Sequence, residues 1–288
     1  MNNIVVNKHQ QLLEQGFCKF ENILDEPMLD ELRRVTDELL AQQTPEEKER
    51  FRYQGSNISI VAQHAVFPRL FTWPKTLAAL RELGYERPKW MSGFLLSKPP
   101  HAPPLYWHQD WAAWDDPISG EAEPTQLFLM YYLHDTSREN GCLRVIPGTH
   151  RKRIPFHDEL PLPHTDASNY AMLDSPLFRT HPDEVDVPVQ AGDLLIGDAR
   201  LLHAAHPNKT NERRTLLTLW YMPKFDELPD SIKATFSRPE SLQPEEWGDV
   251  ETGRAMQSLL ASYSGNAQPV KGNRRPGEYL KRCSAQAS

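Results

Sequence analysis

The feature that most constrains the fold is a series of short β-rich runs between residue 90 and residue 222. Each run is shorter than a typical helix and is rich in β-branched, aromatic or leucine residues. Turn dipeptides separate several of the runs, namely Asn140-Gly141, Pro147-Gly148 and Gly192-Asp193. The predicted strands are 90–97, 125–133, 143–146, 187–189, 194–197, 200–205 and 214–222. Many short strands with intervening turns predict a barrel or a double-sheet jelly roll.

Helical patterns flank this β-rich region. Residues 9–15 predict a short helix, and Gly16–Phe20 alternates like a strand. Asp25 is placed to cap the next helix, which has Pro27 in its first turn. Residues 77–84 predict a helix that ends at a glycine, and a further helical patch lies near 250–262. The fold class predicted is therefore mainly β with flanking helices.

These patterns contain no repeat and no clear interdomain linker, so we predict one domain over residues 1–288. It would consist of a helical N-terminal layer (1–89), a β-core (90–222) and an irregular C-terminal cover (223–288). The proline-studded segment 154–188 is a candidate lid, because long loops in compact domains often close over a site.

Composition narrows the classes of protein that fit. A hydrophobic content of 39% and a charged content of 25% are ordinary for a soluble globular protein. The formal net charge of -7 and the absence of a basic stripe argue against a nucleic-acid partner. The 3 cysteines are sparse and unpaired in pattern, which predicts reduced thiols in the cytoplasm. No secretory signal or membrane span is expected, since the longest apolar run is Leu127–Leu133.

The segment Tyr106–Trp111 contains the first candidate for a metal site. His108 and Asp110 stand two positions apart in a predicted strand, so their side chains would leave the same face. Two histidines and one carboxylate with open positions form the ligand set of non-haem Fe(II) oxygenases. Two further His-x-Asp triplets, at 164–166 and 181–183, lie in the 154–188 loop. We expect those two to be solvated loop residues.

A second histidine ligand must come from elsewhere, and His203 is the candidate. It follows a turn and two apolar, strand-like pieces, a position where a hydrogen-bonded core histidine is also common. The turn at 208–211 and the strand that follows would bring an arginine back beside His203. The planar guanidinium of arginine suits bidentate capture of a carboxylate.

Several ordered motifs together resemble the phytanoyl-CoA dioxygenase family of Fe(II)/2-oxoglutarate-dependent oxygenases. His108-Gln109-Asp110 matches the family's His-x-Asp, and residues 140–150 resemble its Asn-Gly-x-Leu and Pro-Gly-Ser/Thr-His signature. His203 and Arg214, eleven positions apart, fall at the family's distal spacing, together with Gly192-Asp193 and Asn208. The similarity covers roughly residues 10–222, and several motifs in order are more specific than any single one.

The resemblance implies a double-stranded β-helix core, of the jelly-roll or cupin-like kind, and a set of residue roles. His108, Asp110 and His203 would bind Fe(II), Arg214 would bind the distal carboxylate of 2-oxoglutarate, and Lys98 would assist. The cosubstrates would be 2-oxoglutarate and O₂. Many members carry serine two positions after the last histidine, where this chain has Ala205. Related halogenases lack the carboxylate, so the resemblance implies oxygenation.

The expected activity is hydroxylation of an unactivated C–H bond of a small molecule, with release of succinate and CO₂. One alternative is a metal-binding jelly roll without oxygenase activity, such as an isomerase, and another is a ligand-binding module without turnover. A zinc hydrolase lacks support, because no His-Glu-x-x-His motif is present. Arg144 and Arg179 are candidates for holding an acidic substrate. The sequence selects neither a substrate nor an oligomeric state.

Overall fold

The computed structural model describes residues 7–60, 64–237 and 249–281. The α-helices of these residues are α1 Lys8–Gln15, α2 Glu26–Ala41, α3 Pro45–Arg50, α4 Val66–Phe71, α5 Pro74–Glu82, α6 Phe156–Glu159, α7 Asp166–Asn169, α8 Asp230–Phe236 and α9 Val250–Leu259. The strands are β1 Phe17–Phe20, β2 Ser56–Ser59, β3 Lys89–Lys98, β4 Leu105–His108, β5 Leu127–Tyr132, β6 Leu143–Val145, β7 Val185–Val187, β8 Leu194–Asp198, β9 His203–Ala205 and β10 Arg214–Met222.

The helices begin where side chains satisfy the free N–H groups of a first turn. The Asn7 side chain accepts hydrogen bonds at the start of α1, and Asp25 accepts from the Met28 N–H at the start of α2. Thr44 and Glu47 form a reciprocal capping box on α3. The predicted cap at Asp25 is therefore confirmed, whereas no helix was predicted at α3.

Two antiparallel sheets form the β-structure of the described residues. The larger has the strand order β1-β8-β5-β10-β3-β2, and the smaller has the order β4-β9-β6-β7. Strands distant in sequence are neighbours in both sheets, as expected for a jelly roll. The predicted fold class, mainly β with flanking helices around a jelly-roll core, is confirmed.

The strand β5 lies at the centre of the large sheet and buries both of its faces. Leu129 and Tyr131 pack against the helices on the outer face, whereas Phe128 and Met130 pack against the small sheet. The apolar cluster between the sheets also includes Leu143, Val145, Leu195 and Leu216. Burial on both faces explains why this strand is a continuous apolar run rather than an alternating one.

Several predicted boundaries differ from the observed ones. The N-terminal layer contributes two strands as well as helices, since β1 and β2 form the edges of the large sheet. The predicted strand 200–205 is shortened to β9 because residues 199–202 form a turn, and the predicted strand 187–189 is β7, three residues at 185–187. The 154–188 loop thus contains a strand and two short helices. No helix in the described ranges is long and apolar enough to span a bilayer.

Candidate metal and anion site

Pairing within the small sheet places the two predicted histidine ligands together. The strands β4 and β9 are antiparallel neighbours, and His108 is the register partner of His203. The two imidazole rings lie with their centroids 4.1 Å apart, and both residues are buried. Residues 95 positions apart in sequence therefore meet because of sheet register alone.

Asp110 completes this cluster, although not by the strand geometry that its spacing predicts. The strand β4 ends at His108, so Asp110 lies beyond it, where its N–H and that of Trp111 donate to the Ala199 carbonyl. The Asp110 carboxylate has one oxygen 3.8 Å from His108 Nε2 and the other 3.9 Å from His203 Nε2. A turn anchored on Ala199, rather than strand alternation, directs the carboxylate toward both imidazoles.

Backbone hydrogen bonds fix the tautomer of both histidines. His108 Nδ1 lies 3.0 Å from the Tyr106 carbonyl, and His203 Nδ1 lies 3.0 Å from the Leu201 carbonyl. Because a carbonyl can only accept, each Nδ1 carries the proton and each Nε2 keeps its lone pair. Burial, followed by repulsion from His203 and His164, holds the pKa of His108 well below its ordinary range. Neutral imidazoles with free Nε2 atoms are the form that binds a metal.

The carboxylate and one imidazole have supports that the sequence did not indicate. The Trp220 indole N–H donates to Asp110 Oδ2 at 3.0 Å, next to an irregularity in the pairing of β10 with β3. The Phe128 ring packs against His203 with a centroid separation of 5.1 Å. A side chain at Gly197 would place its Cβ 2.1 Å from the Phe128 ring, so this glycine provides the space for Phe128. No local sequence signal marks these supports.

A third imidazole, from His164, lies at the same cluster. The residue is exposed, as expected for the loop, but its position beside His108 and Asp110 was not predicted. His108, Asp110 and His164 offer ligand atoms that all lie within 4.8 Å of one another. The rings of His108 and His164 are 5.4 Å apart, nearly perpendicular. Packing of the loop onto β4 brings His164 there, which its spacing could not show. At the other triplet His181 stacks on Phe156, 5.3 Å away.

Arg214 and Lys98 form a second feature, a pair of buried cations. They are register partners on β10 and β3, and both are almost fully buried. Arg214 Nε has no hydrogen-bond partner among the described residues, and no described carboxylate pairs with either cation. Burial, and then the charges of Arg214 and Arg144, hold the pKa of Lys98 well below its ordinary range. Burying such charges is costly unless an anion joins them, so this pair fits an anionic ligand.

The surroundings of Arg214 keep room for such a ligand. Gly141 has a φ of 92°, and a Cβ there would lie 3.1 Å from Lys98 Cδ and 3.5 Å from Arg214 Nη2. Asn140-Gly141 was predicted only as a turn, but the missing side chain of Gly141 also leaves space beside Lys98 and Arg214. Arg213, the adjacent arginine, donates to Ser97 Oγ instead. Ala205 is buried two positions after His203 in β9, so no hydroxyl is available there.

Other predicted polar groups are already engaged within the protein. Arg144 is buried against Glu184 at 3.2 Å and lies over the Trp107 ring. Arg179 pairs with Glu159 at 2.7 Å. Arg144 is therefore engaged by a buried carboxylate of the same chain, whereas Arg179 is an exposed arginine in a surface ion pair. The role of either residue in holding an acidic substrate stays a prediction. His150 Nε2 donates to the Leu13 carbonyl at 3.0 Å, so this imidazole is bonded within the fold.

One other group of possible ligand residues occurs in the described ranges, formed by Cys142, Asp186 and His206. The Asp186 carboxylate there already contacts His206 Nε2 at 2.5 Å and Arg138 at 3.4 Å. Burial raises the pKa of Cys142 to about 11, so its thiol stays protonated. We interpret this group as an ion-pair network that joins β7 to its neighbours.

A small cleft opens beside His108. The loop residues Leu160–Pro163 and the C-terminal segment Arg274–Pro276 form its rim. The 154–188 loop therefore borders the candidate site, which agrees with the position expected for a lid. Arg274 and Arg275 are exposed at this rim, and the guanidinium of Arg274 lies 3.4 Å from the Asp110 carbonyl.

The fold and the site together define a class: jelly-roll proteins that can hold a divalent metal through two histidines and a carboxylate beside a buried anion pocket. Oxygen and imidazole ligands with open positions suit Fe(II). The sequence profile of the Phytanoyl-CoA dioxygenase (PhyH) family matches residues 12–216. This chain belongs to that family. The predicted cofactors, Fe(II), 2-oxoglutarate and O₂, agree with this membership and with the cluster of His108, Asp110 and a second imidazole.

Individual relatives are similar over most of their length. A probable alpha-ketoglutarate-dependent hypophosphite dioxygenase of Stutzerimonas stutzeri is 22% identical, with 74% of this chain and 77% of that protein covered. An ectoine dioxygenase of Nocardia farcinica is 25% identical, with 78% and 80% covered. Among solved structures, the non-heme alpha ketoglutarate dependent epimerase SnoN from nogalamycin biosynthesis superposes with a TM-score of 0.56 at 20% identity, covering 95% of this chain and 96% of that one. At this level of identity, the similarity to the solved structure shows a shared fold only.

Proposed function

We propose that this protein is an Fe(II)- and 2-oxoglutarate-dependent dioxygenase that hydroxylates an unactivated C–H bond of a small-molecule substrate, with release of succinate and CO₂. The observation that carries the proposal is that one jelly-roll core contains both a His108–Asp110–His203 cluster and a buried cation, Arg214, with no carboxylate partner among the described residues. A metal site alone would serve an isomerase equally well. A buried cation without a carboxylate partner supports a metal enzyme that also takes an anionic cosubstrate.

Each residue has a stated task in this proposal. His108, His203 and Asp110 would hold the iron, with the Tyr106 and Leu201 carbonyls fixing the imidazoles and Trp220 fixing the carboxylate. Three protein ligands leave open positions on a six-coordinate ion. When bound, iron and 2-oxoglutarate supply the oxidising chemistry, and the chain supplies orientation and protection.

The anion pocket would orient the cosubstrate. The Arg214 guanidinium would bind its distal carboxylate through two parallel hydrogen bonds, because that fork matches a carboxylate. Lys98 already donates to the Tyr53 carbonyl at 3.0 Å and to the Pro103 carbonyl, so its remaining contribution would be mainly charge. Ala205 supplies no hydroxyl, and the cosubstrate must be held without one.

Supplying Fe(II) and 2-oxoglutarate under anaerobic conditions tests the proposal. We expect the visible charge-transfer band of the chelate, which should be lost in Asp110→Ala and strongly weakened in Arg214→Ala. Arg213→Ala is the matched control, since Arg213 is the adjacent arginine but faces Ser97. A band absent from the wild-type protein, or undiminished in both variants, would contradict the proposal.

Succinate release then identifies the substrate and the reaction. Hypophosphite and ectoine, for which two relatives are named, are the first compounds to supply, followed by a panel of small molecules. A product that is heavier by one oxygen atom than the substrate supports hydroxylation. Succinate release with a product of unchanged mass indicates epimerisation instead, and a protein that binds both cofactors but releases no succinate with any compound fits a ligand-binding role.

A further inference from the structure

The loop histidine His164 is the strongest unassigned feature near the metal cluster. It lies two residues before α7 and is exposed, and its ring lies 5.4 Å from that of His108 and 6.1 Å from that of Tyr106. Together with His108 and Asp110 it forms a group of three possible ligand atoms within 4.8 Å of one another. None of the motifs that define the family includes this residue, and its own His-x-Asp triplet contributes nothing, because Asp166 is exposed at the start of α7.

The hydrogen bonds around Tyr106 indicate which nitrogen of His164 is free. The Tyr106 hydroxyl lies 3.2 Å from Asn169 Oδ1, to which it donates its one proton. Its oxygen accepts from the His164 backbone N–H at 3.3 Å and lies 3.2 Å from His164 Nδ1. Nδ1 is therefore the protonated nitrogen, and Nε2 keeps its lone pair. The Gln54 amide, 3.4 Å from Nδ1, is too distant to compete. This is the same tautomer that His108 and His203 adopt.

We propose that His164 is a fourth protein ligand of the metal in the substrate-free protein, supplied by the loop rather than by the sheets. The inference rests on the proposed metal site but not on the cosubstrate. His108 and His203 are fixed by paired strands, whereas His164 is held by Tyr106 and by the segment before α7. It is thus the one imidazole of the three that can leave the metal through a movement of the loop alone. Because the same loop borders the cleft beside His108, a molecule entering that cleft would displace it.

Copper bound to the full-length protein, without 2-oxoglutarate, provides a direct count of imidazole ligands. Electron paramagnetic resonance of the Cu(II) protein should show coupling to three nitrogens in the wild type and to two in His164→Ala. His164→Asn, which retains a hydrogen-bonding group for Tyr106, should also show two. His181→Ala is the matched control from the same loop, and it should show three, because the His181 ring packs on Phe156.

Calorimetry with Ni(II) and hydrogen exchange add readouts that a merely structural role would not change. Affinity for Ni(II) should fall in His164→Asn by at least the roughly tenfold to hundredfold that follows loss of an outer partner of a metal ligand. Ni(II) should slow amide exchange in residues 160–170 of the wild type but not of His164→Asn. Tyr106→Phe keeps the imidazole and should retain three coupled nitrogens.

The outcomes separate this inference from the proposed function. Two coupled nitrogens in the wild type, unchanged in His164→Ala, would overturn the role of His164 while leaving the iron site intact. Binding of Cu(II) that is indifferent to His108→Ala would instead refute the metal site itself. A loop whose exchange is equally slowed by Ni(II) in wild type and His164→Asn would also count against the inference.

Discussion

Replacement of Arg214 by methionine should raise the stability of the ligand-free protein while removing its response to 2-oxoglutarate. Arg214 is 3% exposed, its Nε has no partner among the described residues, and Lys98 is its register partner and carries a like charge. Methionine is similar in length and apolar, so it fills the space without the cost of burying a charge. Replacing buried ionic groups by apolar ones is often stabilising, by about 1 to 4 kcal/mol.

The same substitution should weaken 2-oxoglutarate binding severely. A carboxylate left in this pocket without its arginine loses about 3 to 5 kcal/mol, which is a factor of roughly a hundred to several thousand in Kd. With 2-oxoglutarate at 100 times the wild-type Kd, the wild type gains about 2.7 kcal/mol of unfolding free energy from the ligand. Under that condition the variant should gain less than about 0.5 kcal/mol.

Urea unfolding measures both effects in one series, with Ni(II) present as a redox-inert metal and 2-oxoglutarate either absent or added. Arg213→Met is the matched control, because Arg213 is the adjacent arginine, bonded to Ser97, and its loss should leave the ligand effect unchanged. The reasoning is refuted if Arg214→Met destabilises the ligand-free protein and retains the full stabilisation by 2-oxoglutarate, since Arg214 would then be a structural cation.

Three further predictions concern the supports of the site. Trp220→Phe removes the indole N–H that donates to Asp110 Oδ2, so it should lower the affinity for Ni(II), measured by calorimetry, by roughly tenfold. An unchanged affinity would show that the carboxylate does not depend on this hydrogen bond. Gly141→Ala places a Cβ 3.1 Å from Lys98 Cδ at a φ of 92°. It should therefore weaken 2-oxoglutarate binding and leave Ni(II) binding unchanged. An equal loss of both would contradict the view that Gly141 leaves room for the anion. Burial lowers the pKa of His157 from 6.5 to about 4, so the fold holds the neutral ring, and the stability that this contributes is present above pH 6.5 and lost as the pH falls toward 4. That loss is about 3 kcal/mol. Because other buried histidines also have lowered pKa values, unfolding at several pH values should show a loss larger by this amount in the wild type than in His157→Asn.

Local patterns predicted much of the fold. The strand β10 was predicted over its full length, and β3 and β8 within one residue at each end, because each is an apolar run bounded by turns. The helix α3 and the strand β2 were missed, since the first has no buried residue and the second is a four-residue edge strand. Neither carries the hydrophobic periodicity on which such predictions depend.

The sequence likewise predicted some residues of the candidate site and missed others. Order and spacing in the sequence identified four of the site residues, because they match the motifs of the family that the chain resembles. These residues are His108, Asp110, His203 and Arg214. His164 and Trp220 were not found, because each meets the cluster through packing of segments more than 50 residues apart in sequence. The ion pairs of Arg144 with Glu184 and of Arg179 with Glu159 were not predicted, since a sequence does not show which carboxylate an arginine will meet.

The sequence by itself determined which chemical groups are available: a jelly-roll pattern of strands, two histidines and a carboxylate in family order, and an arginine suited to an anion. Only the tertiary structure decided which of these groups meet and which remain unpaired. Register between β4 and β9 brings His108 to His203, a turn on Ala199 directs Asp110, and loop packing adds His164. The physical reason is that strand and turn formation depend on neighbouring residues, whereas sheet register and loop packing depend on burial summed over the whole chain.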